Sequence, residues 1–208
     1  MDVALAVFGA QSKSPSPEYL DSIRTYVSNH EILHCIVEQI KTIEAIWYSL
    51  AEADPEIAGL ENARQYTKAI EDWIIEGKPD EVASIFSGIV SLPRLLIVQL
   101  AQYFSFLDES HISHGDFIRC VSRLGGIQGF CGGLPAAVAL VSAVETHDLQ
   151  TSICTAIRLA YAIGLYAEIG DDSRTPGFTT MVVRLKNEGQ ADELIEGLDG
   201  VSGSNRFL

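Results

Sequence analysis

The spacing of apolar residues predicts a short amino-terminal strand followed by a long helical region. Val3–Phe8 is a continuous apolar run ended by Gly9, which is typical of a buried strand. Residues 10–17 are predicted to form a loop, because the Ser-Pro-Ser-Pro run within them cannot hold a helix. Between residues 18 and 76, apolar side chains recur at intervals of three and four. This spacing predicts amphipathic helices, broken at Asp54-Pro55.

The middle of the chain continues the helical pattern. Gly59 and Gly77 bracket one predicted helix. Leu92–Leu107 is a strongly apolar helix with Pro93 in its first turn, where proline is tolerated. The polar residues 108–116 are predicted to form a surface loop.

The pattern changes after residue 117. Residues 118–130 contain a segment that favours a β-strand and ends in a glycine-rich stretch, after which small apolar residues predict a helix. A second helix is predicted at 149–168. Farther along the chain, 179–185 is a candidate strand and 191–198 a candidate short helix. Strands separated by helices predict an α/β fold.

Composition and charge narrow the classes of function. Apolar residues make up 47% of the chain, which is enough for a buried core. The formal net charge of −14 repels phosphate backbones and anionic lipid, so no nucleic acid and no membrane surface is expected as a partner. No uninterrupted apolar run is long enough to span a membrane, and Asp2 stands where a signal peptide carries positive charge. A cytoplasmic location is expected.

The four cysteines show no paired spacing, and no disulfide framework is expected in a reducing compartment. Free cysteine is commonly a small buried hydrophobe. This interpretation is applied to Cys35, Cys120 and Cys154. Cys131 differs because of the residues around it.

Cys131 lies at a predicted nucleophile elbow, a sharp turn from strand to helix that exposes the residue at its tip. Gly129 and Gly133, two positions before and after it, allow such a turn without steric clash. The free N–H groups and positive dipole end of the following helix favour the reactive thiolate. The pattern favours a nucleophile, with a buried structural cysteine as the alternative.

The same turn predicts part of an oxyanion hole. The backbone N–H of Gly132 directly follows the nucleophile and can bind a developing oxyanion. A second donor is expected in the loop after an early strand, where Gln11 lies. A polar residue there is commonly only part of a turn, so composition by itself does not assign Gln11.

Five segments carry a more specific signal than the elbow alone. They are Val7-Phe8-Gly9-Ala10-Gln11, Val98-Gln99-Leu100-Ala101-Gln102-Tyr103, Gly129-Phe130-Cys131-Gly132-Gly133-Leu134-Pro135-Ala136-Ala137, Ala156-Ile157-Arg158-Leu159-Ala160 and Thr180-Met181-Val182-Val183-Arg184. In sequence and in order they resemble the starter-unit acyltransferase domain of fungal non-reducing polyketide synthases. The resemblance spans nearly the whole chain.

This resemblance implies the fold of the malonyl-CoA:acyl carrier protein transacylases. That fold combines a helix-rich, α/β-hydrolase-like large subdomain with a small ferredoxin-like one. Residues 1–175 are therefore expected to form the large acyltransferase subdomain, incomplete, and residues 176–208 the truncated start of the small one.

The resemblance also implies a ping-pong acyl transfer. Cys131 would take an acyl group from CoA or a carrier thioester and pass it to the phosphopantetheine thiol of an acyl carrier protein. The amides of Gln11 and Gly132 would be the oxyanion donors. The expected partners are the acyl carrier protein and the rest of a polyketide synthase, with acyl-CoA or acyl-phosphopantetheine as substrate and no bound cofactor. Arg158 is a candidate substrate contact, although a helix arginine is commonly solvated or ion-paired.

Members of the family use a catalytic histidine placed well beyond the small subdomain. His147 is not expected to replace it, because it lies sixteen residues past Cys131, about 24 Å along a helix. His111 and His114 precede the second strand and are expected near its opposite end. The pair could be half of a metal site, but the second ligand pair of a zinc site is missing, so no metal is predicted.

The remaining histidines, His30 and His34, lie in a remote helical segment and are expected to be surface or structural residues. Three functions stay open. The five segments favour a starter-unit acyltransferase. The missing histidine favours a catalytically impaired fragment that binds a carrier protein or a synthase partner. A small cysteine hydrolase would need an unidentified base. Single acylation is expected without efficient turnover, because a general base is worth about 10²–10⁴-fold in rate.

Overall fold

The computed structural model describes residues 5–9, 15–143 and 145–170, all of which belong to one compact unit, Met1–Asp172. Within these ranges, helices pack against a short parallel sheet of two strands. The elements in chain order are β1 Ala6–Phe8, α1 Pro17–Asn29, α2 His34–Ile40, α3 Ile43–Ala53, α4 Pro55–Ala58, α5 Ala63–Glu71, a π-helical turn Asp72–Glu76, α6 Pro79–Ser84, α7 Gly88–Ser110, α8 His114–Val121, β2 Ile127–Gly129, a 3-10 turn Cys131–Gly133, α9 Leu134–Val141 and α10 Thr146–Gly170. The predicted α/β class is confirmed at this level, and the predicted small subdomain at 176–208 lies outside the described residues.

The sheet of the described residues is a parallel pair, with Ala6 opposite Ile127 and Phe8 opposite Gly129. One further hydrogen bond, from Phe130 N–H to the Phe8 carbonyl at 2.8 Å, continues the ladder beyond β2. The predicted first strand is confirmed over Ala6–Phe8. The pairing brings β1 directly beside the segment that ends at Cys131.

The long helix α7 is the centre of the core, and most of its side chains are buried. Its bounds correct the predicted helix, because it begins four residues before Leu92 and holds Pro93 in its interior. An interior proline loses one backbone hydrogen bond and costs about 3 kcal/mol. The earlier start is nevertheless favoured, since the Ser87 side chain caps the helix and both Ile89 and Val90 become buried.

Helices α7 and α10 cross at two glycines. A Cβ atom on Gly164 would lie 2.4 Å from the Gly88 carbonyl oxygen, so only glycine permits this approach. Glu168 accepts hydrogen bonds from the Gly88 N–H at 2.6 Å and the Ser87 hydroxyl at 2.8 Å, and thereby closes the start of α7. This crossing fixes α10 against the core helix.

The segment predicted as a surface loop at 108–116 is largely helical. Helix α7 runs to Ser110, and α8 begins at His114 after a left-handed residue, His111, turns the chain. Ser113 then caps α8, with its hydroxyl oxygen accepting from the Asp116 N–H at 3.1 Å. Apart from the buried His114, the polar residues of this stretch are caps and exposed positions of two helices.

The predicted strand at 118–130 is also shorter than expected. Helix α8 extends to Val121, because Phe117 and Val121 stand one turn apart and are both buried. Only Ile127–Gly129 is a strand. The small-residue helix after Cys131 is confirmed as α9, and the helix predicted at 149–168 is confirmed with longer bounds as α10.

Two helices meet the length and composition of a membrane span, contrary to the expectation from uninterrupted apolar runs. The most apolar segment of α7 is 72% buried inside the protein, and that of α10 is 39% buried. Burial of this extent makes α7 a core helix. The cytoplasmic location stays a prediction.

Part of the apolar surface near β1 and α9 is open. On the sheet, Val7 and Phe130 are more than half exposed. On α9, Leu134, Val138 and Val141 lie on one exposed face at intervals of four and three. Parallel sheets are ordinarily covered on both faces. The described part of the chain covers only one face of this one.

Candidate active site

Cys131 occupies the tip of a tight turn between β2 and α9. Its φ angle is 52°, in the left-handed region that residues with a Cβ atom seldom adopt, and its side chain is exposed. The turn is closed by a hydrogen bond from Gly133 N–H to the Phe130 carbonyl at 2.9 Å. The backbone strain lies on the cysteine itself, which is the geometry of a nucleophile elbow.

The glycines around Cys131 are required by close approaches of the backbone. A Cβ atom on Gly129 would lie 2.6 Å from the Cα atom of Leu134, and one on Gly133 would lie 2.3 Å from the Phe8 carbonyl oxygen. Backbone atoms cannot move aside as a flexible side chain can. The two glycines therefore let β1, β2 and α9 converge at Cys131.

Gly132 has a different neighbour. A Cβ atom there would lie 2.6 Å from Cδ2 of Leu95 on α7, which is the end of a flexible side chain. The Gly132 N–H belongs to the first turn after the nucleophile, where N–H groups have no acceptor within the helix. This position suits the predicted oxyanion donor, and that role stays a prediction.

The second predicted donor, Gln11, lies outside the described residues. The chain leading to it is fixed at Gly9, whose carbonyl accepts a hydrogen bond from Nε2 of Gln99 at 2.6 Å. Gln99 is buried on α7. This contact ties the core helix to the end of β1, one residue before the predicted loop that would contain Gln11.

Gln99 is the residue that sequence reasoning missed as a part of the site. It appeared only within the resembling segment Val98–Tyr103, with no role assigned. Its signal was a polar amide in an otherwise apolar helical stretch, where burial without hydrogen bonds is costly. Its Oε1 atom is buried without a hydrogen-bond partner among the described residues.

His114 is a structural histidine. Its Nε2–H donates to the Ala143 carbonyl at 2.9 Å, and its Nδ1 accepts from the Tyr103 hydroxyl at 2.8 Å. Burial lowers the pKa of His114, against an opposing effect of backbone hydrogen bonds, so the neutral ring is favoured. Ala143 follows the carboxyl end of α9, whereas Cys131 precedes its amino end. The predicted separation of His114 from Cys131 is confirmed.

The other histidines are also placed away from the elbow. His111 ends α7, sixteen residues or about 24 Å along the axis from Leu95, the neighbour of Gly132. His147 stands in the first turn of α10, a separate helix that begins after α9 has ended at Val141. The single continuous helix assumed for its distance is therefore wrong, although His147 still follows the end of α9 that lies farthest from Cys131.

His30 and His34 lie beside α1 and α2. His30 packs between Tyr26 and Phe104, and burial lowers its pKa, partly opposed by the charge of Asp108. His34 contacts the Ser28 carbonyl through Nδ1 at 3.2 Å. Neither histidine has a contact with the elbow in the part of the chain that the structure describes.

Arg158 lies on α10 against α2 and not against the elbow. Its Nε–H donates to Oε1 of Gln39 at 2.8 Å. The role of Arg158 in substrate contact stays a prediction that this placement does not support. The cysteines predicted as buried hydrophobes, Cys35, Cys120 and Cys154, are all half-buried.

A strained cysteine between a parallel strand and a helix is typical of enzymes that form covalent acyl intermediates. Comparison with known families shows an acyl-transfer family, without showing the intermediate. The model of the family described as "Starter unit:ACP transacylase in aflatoxin biosynthesis" matches residues 56–199, more than half of the chain. This protein belongs to that family.

Individual relatives are fungal non-reducing polyketide synthases. The chain is 37% identical to one from Stereocaulon alpinum over 193 residues, and 35% identical to one from Preussia isomera over 192 residues. A third, from Acremonium egyptiacum, is 32% identical over 195 residues. The matches cover 93%, 92% and 94% of this chain but only 8%, 9% and 9% of the relatives. The chain thus corresponds to a small part of much longer proteins.

Proposed function

We propose that this chain loads a starter unit in polyketide biosynthesis by carrying an acyl group on Cys131. The observation that carries the proposal is the left-handed, exposed Cys131 at the junction of β2 and α9. Family membership supports an acyl-transfer role. An acyl-CoA or an acyl-phosphopantetheine is the proposed donor, and the phosphopantetheine thiol of an acyl carrier protein is the proposed acceptor.

The proposed reaction has two thioester exchanges. The Cys131 thiolate attacks the carbonyl carbon of the donor, a C–S bond forms, and the carbonyl oxygen becomes an oxyanion. The oxyanion collapses, the C–S bond to the donor breaks, and the donor thiolate leaves and takes up a proton. The acceptor thiolate then attacks acyl-Cys131 in the same way and releases the cysteine. Each exchange replaces one thioester by another, so the net change in bond energy is small. The covalent intermediate divides the activation barrier between two steps.

Stabilisation of the oxyanion is assigned to the amides of Gly132 and Gln11. A donor of this kind contributes most when its position is fixed before the reaction begins. Gln99 supports that role as a positioning residue, because its side chain anchors the carbonyl of Gly9 at the start of the loop. We propose that the buried amide of Gln99 keeps the second donor in place.

The positions of the histidines determine the rate of acylation that we expect. Every histidine of this chain lies in the described ranges, and none of them contacts Cys131 there. Without a general base, the reaction loses about 10²–10⁴-fold in rate. Acylation of Cys131 by this chain alone is therefore expected to be slow, and turnover slower.

A second candidate function is binding without catalysis. In this case the chain binds a carrier protein or another part of a polyketide synthase and does not complete a catalytic cycle. The placement of the five histidines favours this alternative. A polypeptide that holds acyl-Cys131 but does not discharge it would fit both descriptions, so the test must separate loading from turnover.

The test is intact mass spectrometry of the full chain after incubation with acyl-CoAs of several lengths. The expected result is a single acyl adduct, mapped by digestion to Cys131. Cys131→Ala should carry no adduct. The control Cys120→Ala removes a different thiol, which is half-buried, and should be acylated like the unchanged chain. An adduct that survives in Cys131→Ala would overturn the assignment of the nucleophile.

Incubation of the acylated chain with an acyl carrier protein distinguishes the candidate functions. Transfer of the acyl group to a phosphopantetheinylated acyl carrier protein indicates the transferase. A stable adduct with carrier binding but no transfer indicates the binding module. Release of free acid without a carrier would instead indicate the third function, hydrolysis by a cysteine enzyme.

A further inference from the structure

Two cysteines far apart in the sequence meet between α2 and α10. The Cys154 thiol donates a hydrogen bond to the carbonyl of Cys35 at 3.6 Å, and the Cys35 thiol donates to the carbonyl of Gln150 at 3.8 Å. These two contacts bring both cysteine side chains to the same place between α2 and α10. Both side chains are half-buried, so small solutes have access to them.

Contacts one helical turn away on either side hold this pair in register. On one side, Nε2 of Gln150 donates to the carbonyl of Glu31 at 3.3 Å. On the other, Nε of Arg158 donates to Oε1 of Gln39 at 2.8 Å. Gln150, Cys154 and Arg158 are spaced by four on α10, and their partners are spaced by four along the chain entering and forming α2. The three contacts run in register along the two segments, with the contact between Cys154 and Cys35 in the middle.

The two thiols differ in electrostatic environment. The hydrogen bond from Cys35 lowers the pKa of Cys154 to about 7, and the nearby Arg158 charge acts in the same direction, against the effect of burial. The same hydrogen bond, together with burial, raises the pKa of Cys35. Cys154 therefore provides a thiolate near neutral pH, and Cys35 a protonated thiol beside it. This is the division between an attacking cysteine and a resolving cysteine.

We infer that Cys35 and Cys154 form a second thiol site, separate from Cys131, which a peroxide oxidises to an intramolecular disulfide between α2 and α10. The inference does not depend on the acyltransferase proposal, since it rests on contacts remote from the elbow. At rest in a reducing compartment both thiols stay reduced. Oxidation would join two helices of the core by a bond that thiols can reverse.

The chemistry balances with one peroxide molecule. The Cys154 thiolate attacks one peroxide oxygen, an S–O bond forms as the O–O bond breaks, and the leaving hydroxide takes up a proton to become water. Cys35 then loses its proton, and its sulfur attacks the sulfenic sulfur of Cys154. The S–S bond forms, the S–O bond breaks, and the leaving hydroxide takes up that proton. Two thiols have lost two electrons, and the peroxide has become two water molecules.

The test treats the reduced full chain with one equivalent of hydrogen peroxide and then blocks the remaining thiols with N-ethylmaleimide. Cleavage after Lys, Arg and Glu places Cys35 in peptide 32–38, Cys154 in 146–158 and Cys131 in 124–145. The expected product is peptide 32–38 linked to 146–158, with the intact chain lighter by two hydrogen atoms before blocking. Reduction should restore both free peptides.

Variants assign the two roles. Cys131→Ser should form the same linked peptide, while Cys154→Ser should not. Cys35→Ser should leave Cys154 as a sulfenic acid, trapped by dimedone. One result overturns the inference. In it, Cys131 is already oxidised, but peptides 32–38 and 146–158 are both recovered unlinked, with their thiols blocked by N-ethylmaleimide. A link from Cys154 to Cys131, or between two chains on a denaturing gel, overturns it equally. The linked peptide is sought first in the unchanged chain, so the result does not depend on how any variant folds.

Discussion

The elbow and the α2–α10 contact place cysteines in opposite physical settings. Cys131 is exposed on a strained backbone with a φ angle of 52°, and glycines clear the space around it. Cys35 and Cys154 lie half-buried on regular helices, where the Cys154 thiol contacts the carbonyl of Cys35 and the Cys35 thiol contacts the carbonyl of Gln150. At the elbow the main chain defines the site, whereas between the helices the neighbouring side chains define it.

This difference teaches that thiol chemistry cannot be assigned from residue type or exposure alone. A thiol projecting from a strand-to-helix turn is presented to a large substrate such as a thioester. A thiol held against a second thiol is suited to a small oxidant, since a bulky donor cannot enter between two packed helices. The two sites should therefore respond to different reagents and to different substitutions.

The largest expected effect separates the two sites by acyl transfer. Cys131→Ala should abolish the acyl adduct, whereas the double variant Cys35→Ala/Cys154→Ala should be acylated at the rate of the unchanged chain. The reason is that only Cys131 is presented at the elbow. The measurement is the time course of adduct mass with one acyl-CoA. A large loss in the double variant would mean that the helix pair takes part in loading.

The next effect concerns the backbone of the elbow. Gly133→Ala should destabilise the protein by about 3 kcal/mol or more, because the new Cβ atom would lie 2.3 Å from the carbonyl oxygen of Phe8. Gly59→Ala is the matched control, since a Cβ atom there makes only ordinary contacts at 3.5 Å. Urea unfolding of both variants measures the difference. Equal stability of the two variants would show that the protein does not need the close approach of Gly133 to β1.

A smaller effect is expected at Gln99. Gln99→Leu removes the hydrogen bond to the Gly9 carbonyl and leaves that carbonyl without its partner, at a cost of about 1–3 kcal/mol. If that cost falls on the acylation transition state, the rate drops by about tenfold or more.

Gln102→Leu provides the comparison for Gln99, because its amide contacts the Tyr19 hydroxyl on the exposed side of the same helix. This variant should change the acylation rate little. Acylation kinetics and unfolding are measured together for both variants. If Gln99→Leu lowers stability but leaves acylation unchanged, Gln99 is a structural residue and not a positioning residue.

The smallest effect is a shift in pH dependence at the helix pair. Alkylation of Cys154 by iodoacetamide should rise with pH through a midpoint near 7, because the hydrogen bond from Cys35 favours the thiolate. Cys35→Ala should move this midpoint upward. Peptide mass spectrometry at a series of pH values measures it. An unchanged midpoint would remove Cys35 as the cause of the low pKa.

Much of the fold could be predicted from local pattern. The apolar run ending at Phe8, the break at Asp54-Pro55 and the helix after Cys131 were all found, because each depends on neighbouring residues. The errors fell where tertiary packing overrides local preference. Pro93 lies inside a helix because upstream residues gain burial, and the polar stretch around Ser113 is a helix boundary because Ser113 caps α8.

For the site, the nucleophile candidate and the glycines that surround it can be read from the amino-acid sequence. A tight turn requires small residues within two positions of its tip. Because these residues are neighbours in the sequence, the requirement can be recognised without a structure. Tertiary structure alone decided that Gln99 anchors the end of β1, ninety residues away, and that Cys35 meets Cys154 across a separation of 119 residues. Contacts of that range depend on how helices pack, and no local spacing records them.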